Sequence, residues 1–191
     1  MISALLLAAG QSKRIKEKNK LLLKYKGKPL INHILSSLIK SKVKKIIVVL
    51  GHENNKIKKK TIKSKKIKFV FNKSYKKGIS SSIKYGLKGI SKNSKGFMIV
   101  HSDMPFIKTS HINKIVNSLL NNNDQLVHVL KYRSKIGNPI GFDISLLRKF
   151  RKIKGDFGAK FMVKRLTKKT NFIKVTSNKI FKDFDLFKDF H

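Results

Sequence analysis

The chain has 191 residues, of which 40% are hydrophobic, enough for one substantial core but too short for two ordinary domains. It contains no cysteine, which excludes disulfides, thiolate nucleophiles and cysteine-based metal sites, and its six histidines show no metal-ligand spacing. The formal net charge of +37 would ordinarily indicate a polyanionic partner such as nucleic acid.

The first half of the chain alternates predicted strands and helices. A continuous apolar run at 2–9 predicts a strand buried on both faces, and the run ends at Gly10. Pro29 opens an amphipathic segment with the apolar spacing of a helix packed on a sheet. The predicted strands lie at 2–9, 45–50, 67–71 and 96–100, and the predicted helices at 30–39, 53–64 and 80–87. This order predicts an α/β fold with a mostly parallel central sheet and right-handed crossovers.

The second half is less regular. Helices are predicted at 110–120, 144–153 and 159–166, and strands at 125–130, 140–142 and 172–175. We expect Gly137-Asn138-Pro139 to form a turn before the strand at 140–142. No repeat or break in composition marks a boundary, so we expect one domain over 1–191.

The charge has a simpler explanation than nucleic-acid binding. Lysine supplies nearly all of it, is spread over the whole chain and accompanies many Asn, Ile and Phe residues, the bias of an AT-rich genome. We therefore do not expect specific nucleic-acid binding, although a basic nucleic-acid-binding protein on the same fold stays an alternative. There is no apolar run of 18 residues, and the apolar start lacks the basic region of a signal peptide. We expect a cytoplasmic protein with no membrane association.

The loop after the first predicted strand has the residues of a phosphate site. Gly10, Ser12 and Arg14 follow the strand directly, and Lys20 lies six residues further on. Small residues let a ligand approach the backbone, whose N–H groups can bind phosphate oxygens. The segment is neither of the familiar glycine-rich nucleotide loops, and by itself it is equally compatible with an ordinary turn bearing surface cations.

Asp103 follows the predicted strand at 96–100, at the carboxyl edge of the sheet, where open α/β folds bind ligands. A carboxylate there suits Mg²⁺, which takes one or two protein carboxylates together with substrate phosphates. The alternative is a turn-forming aspartate that caps the next helix, with Pro105 setting the turn. The residues alone leave both interpretations open.

Several motifs together resemble one family. These are Leu7-Ala8-Ala9-Gly10-Gln11-Ser12-Lys13-Arg14, Asn19-Lys20-Leu21-Leu22, Gly27-Lys28-Pro29-Leu30, Asn72 with 78–87, Ser102-Asp103-Met104-Pro105, Gly137-Asn138-Pro139, 155–160 and Asp183-Phe184-Asp185. They span essentially the whole chain, and the chain resembles the MocA-like molybdenum cofactor cytidylyltransferases. The resemblance implies a Rossmann-like three-layer nucleotidyltransferase fold, with a nucleotide-binding half at about 1–105 and an acceptor half at about 106–191. It also implies a Mg²⁺-dependent transfer of CMP from CTP to the terminal phosphate of molybdopterin, with release of pyrophosphate. A molybdoenzyme or an insertion chaperone would be a possible partner.

By the same resemblance, the functional residues fall into four groups. Arg14, Lys20 and Asp103 are the expected catalytic residues. Asp103 and Asp185 are the expected metal ligands, with Asp183 as the spare. The expected nucleotide-binding residues are Leu7, Ala8, Ala9, Gly10, Ser12, Arg14, Lys20, Asn72, Ser81, Ser82 and Asp103. The expected acceptor-binding residues are Gly137, Asn138, Pro139, Gly155 and Asp156.

Departures from the family pattern keep other acceptors and nucleotides open. Lys16 stands where the family usually shows a glycine, and the tail after Asp185 lacks the family's usual Thr-Pro-Glu. Ala9 replaces a glycine of guanylyl-transferring relatives, which favours CTP over GTP. Transfer to a sugar phosphate or another phosphorylated small molecule is the nearest alternative. We interpret His101 as an exposed or core-edge histidine rather than a catalytic one.

Overall fold

A computed structural model describes residues 1–12, 14–15, 18–91, 93–121, 124–153, 155 and 158–190. The strands are β1 (Ile2–Ala8), β2 (Lys24–Tyr25), β3 (Lys28–Pro29), β4 (Lys45–Leu50), β5 (Ile67–Phe71), β6 (Gly96–His101), β7 (Val127–Tyr132), β8 (Lys135–Asp143) and β9 (Thr170–Lys174). The α-helices are α1 (Leu30–Lys40), α2 (Asn54–Lys60), α3 (Ile79–Leu87), α4 (Thr109–Asn121), α5 (Leu147–Lys152) and α6 (Ala159–Arg165). Short 3₁₀ turns lie between and after them, including Lys20–Leu22 and Tyr75–Lys77.

The described residues form a seven-stranded sheet in the order β5-β4-β1-β6-β8-β7-β9, beside a two-stranded ribbon of β2 and β3. The pairs β4/β5, β1/β4, β1/β6 and β7/β9 are parallel, whereas β8 runs antiparallel to both β6 and β7. The order of connection reverses between β1 and β6. In an open α/β sheet this is the point at which a ligand crevice forms beyond the carboxyl ends of the strands.

Two apolar cores cover the two faces of the sheet, so the fold has three layers. Alternate residues of β1 face opposite sides: Leu6 belongs to a core with α1 and α4, and Leu5 to a core with α3, α5 and α6. Helix α1 contributes Leu30, Ile34, Leu38 and their neighbours as a fully buried stripe, as its spacing predicts. The predicted three-layer α/β fold with a mostly parallel central sheet is therefore confirmed.

Most predicted elements agree with the structure within two residues at each end, but the strand predicted at 140–142 begins at 135 and the helix predicted at 144–153 begins at 147. The short strands β2 and β3 were not predicted. The helix predicted at 53–64 is shorter than expected, because α2 ends at Lys60. There the Thr61 hydroxyl donates a hydrogen bond to the carbonyl of Ile57, at 2.7 Å. No helix in the described ranges is both long and apolar enough to cross a membrane.

The predicted turn at Gly137-Asn138-Pro139 is wrong, because all three residues lie within β8. The chain instead turns at 133–134, with Arg133 in the left-handed region at φ 51°. On the neighbouring strand, Val129 pairs with Ile140 but the next residue pairs with Gly137. Asn138 and Pro139 are thus the extra residues of a β-bulge. Proline has no N–H group to donate to a neighbouring strand, and a bulge is one of the few strand positions that tolerate it.

Candidate active site

A cavity of about 700 Å³ opens at the carboxyl ends of β1 and β6. Its lining residues come from the loop after β1, the segment before α3, the corner after β6 and the C-terminal tail. They are Leu7, Ala9, Gly10, Gln11, Ser12, Arg14, Lys20, Leu21, Tyr75, Lys76, Lys77, Gly78, Ile79, Ser82, His101, Ser102, Asp103 and Asp185. Four cations against two carboxylates make this lining favourable for a polyphosphate.

The loop after β1 is held in shape by its own polar side chains. Ser12 has a left-handed backbone, with φ 54°. Its hydroxyl accepts a hydrogen bond from the backbone N–H of Lys20, at 3.2 Å, and donates one to Asn19, at 3.4 Å. Asn19 in turn accepts from the backbone N–H of Leu21, at 3.1 Å. These bonds fold 19–21 back onto the loop and bring Lys20 to the cavity.

Gly10 is exposed at this loop, and a Cβ built on it would meet no protein atom within 4 Å. Internal packing therefore does not require a glycine here. The open space above it lies at the cavity, where the absence of a side chain allows a ligand to approach the backbone.

Asp103 is fixed by bonds on both sides of it. The hydroxyl of Ser102 donates a hydrogen bond to the carbonyl of Leu7, at 2.7 Å, which ties the corner to β1. The carbonyl of Asp103 accepts from the backbone N–H of Phe184, at 2.9 Å, which ties the corner to the tail. Phe184 is buried against the rings of Tyr25 and Phe106, with centroids at 4.8 and 5.7 Å. The buried Phe184 therefore anchors the tail and places Asp185 at the cavity. Sequence reasoning missed this anchor, although an aromatic residue between Asp183 and Asp185 could have indicated it.

Lys20 joins the two predicted metal ligands. Its ammonium nitrogen donates to Asp103 Oδ2 at 2.6 Å and to Asp185 Oδ1 at 2.8 Å. Arg14 forms a further ion pair with the second oxygen of Asp185. The side chains of Lys20 and Asp103 are only 16% and 17% exposed, so this pair is shielded from water more than an ordinary surface ion pair.

The same contacts shift two pKa values. Burial by itself would lower the pKa of Lys20, but the charges and hydrogen bonds of Asp103 and Asp185 outweigh it, and the pKa is raised. For Asp185, burial opposes ionisation, yet the hydrogen bonds and charges of Lys20 and Arg14 leave its pKa lowered. His101 behaves differently, since burial dominates and lowers its pKa. Lys20 and Asp185 are therefore charged near neutral pH, whereas the side chain of His101 is neutral.

The residues present suit a divalent cation. Asp103 Oδ1 is buried and, among the described residues, has no hydrogen-bond partner, so one carboxylate oxygen remains to be satisfied. Asp185 supplies a second carboxylate, and the ammonium group of Lys20 forms ion pairs with both Asp103 and Asp185. The described part of the chain holds no cluster of three or more acidic or histidine side chains that could enclose a metal by themselves. One or two carboxylates beside waters and substrate phosphates are a usual ligand set for a divalent cation such as Mg²⁺.

The segment before α3 also forms part of the cavity wall. Gly51 allows the close packing there, because a Cβ on it would lie 2.7 Å from Tyr75 Cβ and 2.8 Å from Ala9 Cβ. Tyr75, Ile79 and Ser82 then line the cavity with Ala9. Sequence reasoning missed Tyr75 and gave no role to Ile79, although Ile79 belongs to the motif at 78–87; the apolar surfaces of both residues can contact a nucleobase.

Three predicted nucleotide-binding residues, Ala8, Asn72 and Ser81, do not line the cavity. Asn72 is fully buried. Its amide nitrogen donates a hydrogen bond to the hydroxyl of Ser82, at 3.1 Å. Its amide oxygen accepts from the hydroxyl of Ser81, at 3.2 Å, and from the backbone N–H of Ser74, at 2.9 Å. Ser81 also donates to the carbonyl of Ser74, at 3.0 Å. These bonds hold the segment that carries Tyr75. Ala8 likewise is buried in the core beneath the loop.

A second cavity of about 270 Å³ adjoins the first, and Ile79 and His101 line both. Its other lining residues are Met104, Lys135, Ile136, Gly137, Asn138, Gly158, Ala159, Lys160, Phe181 and Asp183. Two predicted acceptor residues, Gly137 and Asn138, lie there, and Pro139 is buried next to them. Gly155 lines neither cavity; its carbonyl accepts from the backbone N–H of Ser80, at 3.2 Å. The predicted acceptor residue Asp156, like Lys16, lies outside the described residues.

Comparison with known proteins agrees with this geometry. Rv0371c from Mycobacterium tuberculosis superposes with a TM-score of 0.85 at 19% identity, over 98% of this chain and 94% of that one. A nucleotidyl transferase from Methanothermobacter thermautotrophicus gives 0.83 at 19% identity, over 99% and 94%. The bifunctional protein GlmU of Clostridioides difficile is 29% identical over 140 residues, which are 73% of this chain and 29% of that protein. The chain spans only 24 to 30% of the length of the GlmU proteins it matches.

The protein thus has the fold of the α/β nucleotidyltransferases. Its main cavity lies at the crevice between β1 and β6. Residues 4–170 match the model of the MobA-like NTP transferase domain, and the chain belongs to that family.

Proposed function

We propose that this chain is a Mg²⁺-dependent cytidylyltransferase that joins CMP from CTP to the terminal phosphate of molybdopterin. One observation carries the proposal: a single cavity brings together the Gly10 loop, Lys20 and Asp103. In the reaction, an ionised oxygen of the acceptor phosphate forms a bond to the α-phosphorus. The bond from that phosphorus to the bridging β-oxygen breaks, and pyrophosphate leaves with the electron pair. No covalent enzyme intermediate is required.

The residues of the chain position the reactants and offset their charge. The backbone at 10–12 would contact the triphosphate, with Arg14 and Lys20 supplying positive charge along it. Asp103 and Asp185 would hold Mg²⁺, which when bound withdraws negative charge from the phosphate oxygens. Phosphoryl-type transfers depend chiefly on such positioning and charge neutralisation. The second cavity, with Gly137 and Asn138, would hold the acceptor beside His101.

The preference for CTP rests on Ala9. Ala9 lines the cavity and stands where guanylyl-transferring relatives have a glycine, so its methyl group would leave less room for the larger purine of GTP than a glycine would. Tyr75 and Ser82 line the same cavity. The preference is tested by comparing CTP and GTP directly.

A second candidate is transfer to a sugar phosphate or a similar phosphorylated small molecule. The specific observation in its favour is the similarity to GlmU over 140 residues. The first cavity would serve either reaction, since both need only a nucleoside triphosphate and a metal. The two candidates differ in what occupies the second cavity.

Pyrophosphate release by the purified chain tests these proposals. CTP and GTP are each combined with Mg²⁺ and with purified molybdopterin or a sugar 1-phosphate, and we expect release with CTP and molybdopterin. Release with only the sugar phosphate would replace the first proposal by the second. A thermal midpoint that neither CTP nor GTP raises in the presence of Mg²⁺ would contradict both, because a ligand that binds only the folded state must stabilise it. Tight, salt-sensitive RNA binding that survives Asp103→Asn would then favour the nucleic-acid alternative.

A further inference from the structure

The second cavity contains two lysines, Lys135 and Lys160, to which the sequence analysis gave no role, although Lys160 belongs to the motif at 155–160. We infer that Lys160 and Lys135 bind the anionic group of the acceptor, and that the acceptor also presents an N–H or O–H donor to Asn138. This inference rests on the proposed nucleotidyl transfer and defines its acceptor class: a phosphorylated compound with a hydrogen-bond donor next to the phosphate-bearing portion. It makes Lys160 and Lys135 residues that determine acceptor specificity.

The position of the cavity is the first support. His101 and Ile79 line both cavities, so a molecule in the second cavity reaches the first past these two side chains. Asp103 lies two residues after His101, at the same end of β6. An acceptor phosphate at this boundary is therefore beside the place proposed for the α-phosphate of the nucleotide.

The charges of the lining are the second support. Lys135, Lys160 and Asp183 are exposed, and within the described ranges neither lysine forms an ion pair. Lys135, Lys160 and Asp183 line this cavity together with His101. Two cations against one carboxylate leave the cavity positive, so it favours an anionic ligand.

Asn138 supplies the third, independent support. It is only 5% exposed, and its Oδ1 is buried with no hydrogen-bond partner among the described residues. A buried amide oxygen without a hydrogen-bond partner is unfavourable, so such groups in native structures call for a ligand or a water. The β-bulge of β8 directs Asn138 out of the regular pairing, and bulges of this kind often aim a side chain at a site.

The floor of the cavity restricts the size of the acceptor. A Cβ on Gly137 would lie 2.5 Å from the ring of Phe181, so this ring packs directly on the bulge. The space of about 270 Å³ is below the usual range for a site that encloses a drug-sized ligand. It suits a compact head group, with any remaining portion of the acceptor in solvent.

The test compares Lys160→Gln and Lys135→Gln with the native chain, using purified molybdopterin as the acceptor and CTP with Mg²⁺ as the donor. Loss of one charge-assisted hydrogen bond weakens binding by roughly tenfold to a hundredfold. We expect each variant to raise the acceptor KM by about tenfold or more and to leave the dissociation constant of CTP unchanged. Lys160→Arg should recover much of the loss, because it restores the charge. Lys164→Gln is the matched control, since Lys164 is exposed on the same helix and lies outside both cavities.

The outcomes separate this inference from the proposed function. Native activity with an acceptor KM that neither substitution changes would overturn the inference and leave the proposed function standing. If the native chain instead transfers CMP only to a sugar 1-phosphate, and Lys160→Gln raises that KM, molybdopterin is the wrong acceptor and the lysine assignment holds. If the native chain transfers to no acceptor, the proposed function fails. Fluorescence titration of molybdopterin without nucleotide then decides: binding weakened by Lys160→Gln supports the inference, and absence of binding overturns it.

Discussion

The side-chain nitrogen of Lys20 lies 2.6 Å from a carboxylate oxygen of Asp103, although the two residues are 83 positions apart in the chain. The same nitrogen lies 2.8 Å from Asp185. A single ammonium group therefore neutralises both carboxylates that we propose as metal ligands. A metal that binds them competes with this lysine, whereas a triphosphate offers the lysine another anionic partner.

Lys20→Met should consequently affect metal and nucleotide in opposite directions. Without the ammonium, Asp103 and Asp185 attract a cation more strongly, so Mn²⁺ affinity in the absence of nucleotide should rise by roughly an order of magnitude. CTP affinity should fall by a similar factor, because a charge-assisted contact to phosphate is lost. Electron paramagnetic resonance of Mn²⁺ and calorimetric titration of CTP measure the two effects. Lys24→Met, on the exposed part of β2, should change neither, and unchanged Mn²⁺ affinity in Lys20→Met would contradict the competition.

The two tail aspartates should differ in their importance for the nucleotide. Asp185 lines the first cavity and contacts Lys20, while Asp183 lines the second cavity. Asp103→Asn and Asp185→Asn should each lower Mg²⁺-dependent pyrophosphate release, with a loss on the order of 10²–10³ for Asp103, as for removal of other transition-state electrostatic contacts. Asp183→Asn should leave the Mg²⁺-dependent affinity for CTP unchanged. Weaker CTP binding in Asp183→Asn than in Asp185→Asn would reverse the assignment of the second metal ligand.

Gly10 lines the first cavity and Gly51 packs behind its lining residues, and the two glycines should respond differently to the same substitution. Gly51→Ala places a methyl group 2.7 Å from Tyr75 Cβ, and overpacking of this kind destabilises a protein by about 1–3 kcal/mol. Gly10→Ala meets no protein atom within 4 Å, so its free energy of unfolding should change little, while CTP binds more weakly because the methyl group lies where the nucleotide approaches. Urea unfolding and calorimetric titration of CTP separate the two effects. Destabilisation by Gly10→Ala comparable with that of Gly51→Ala would show that the loop glycine serves internal packing.

The contacts of the tail should give a defined pH dependence. The pKa of Asp185 is lowered in the folded chain, opposed by burial but driven by Lys20 and Arg14. Its stabilising contribution is therefore complete above the ordinary pKa of an aspartate and is lost as the pH falls through the lower, folded value. The difference in unfolding free energy between the native chain and Asp185→Asn should be constant from about pH 5 to 8 and shrink below about pH 4. Urea unfolding across this range measures it, with the exposed Asp124→Asn as a control. A difference that grows on acidification would contradict the proposed ion pairs.

Local sequence determined most of the secondary structure. It also determined the two segments that border the central crevice, which are the loop at Gly10 and the corner at Asp103. The apolar run before Gly10 and the strand before Asp103 required no long-range information, because burial on both faces and the length of each run already indicate parallel strands. Parallel strands present their carboxyl ends at one edge, so the loop and the aspartate were expected together there. The family motifs added Lys20 and Asp185 to the same region.

Tertiary structure alone decided the contacts that join distant segments. The antiparallel insertion of β8 beside β6 and the bulge that turns Asn138 towards the second cavity depend on strand pairing, which no local pattern specifies. The burial of Asn72 and the anchoring of Asp185 through Phe184 likewise follow from packing between segments far apart in the chain. The physical reason is that local conformation depends on neighbouring side chains and hydrogen bonds, whereas strand order and side-chain convergence depend on which apolar surfaces exclude water together.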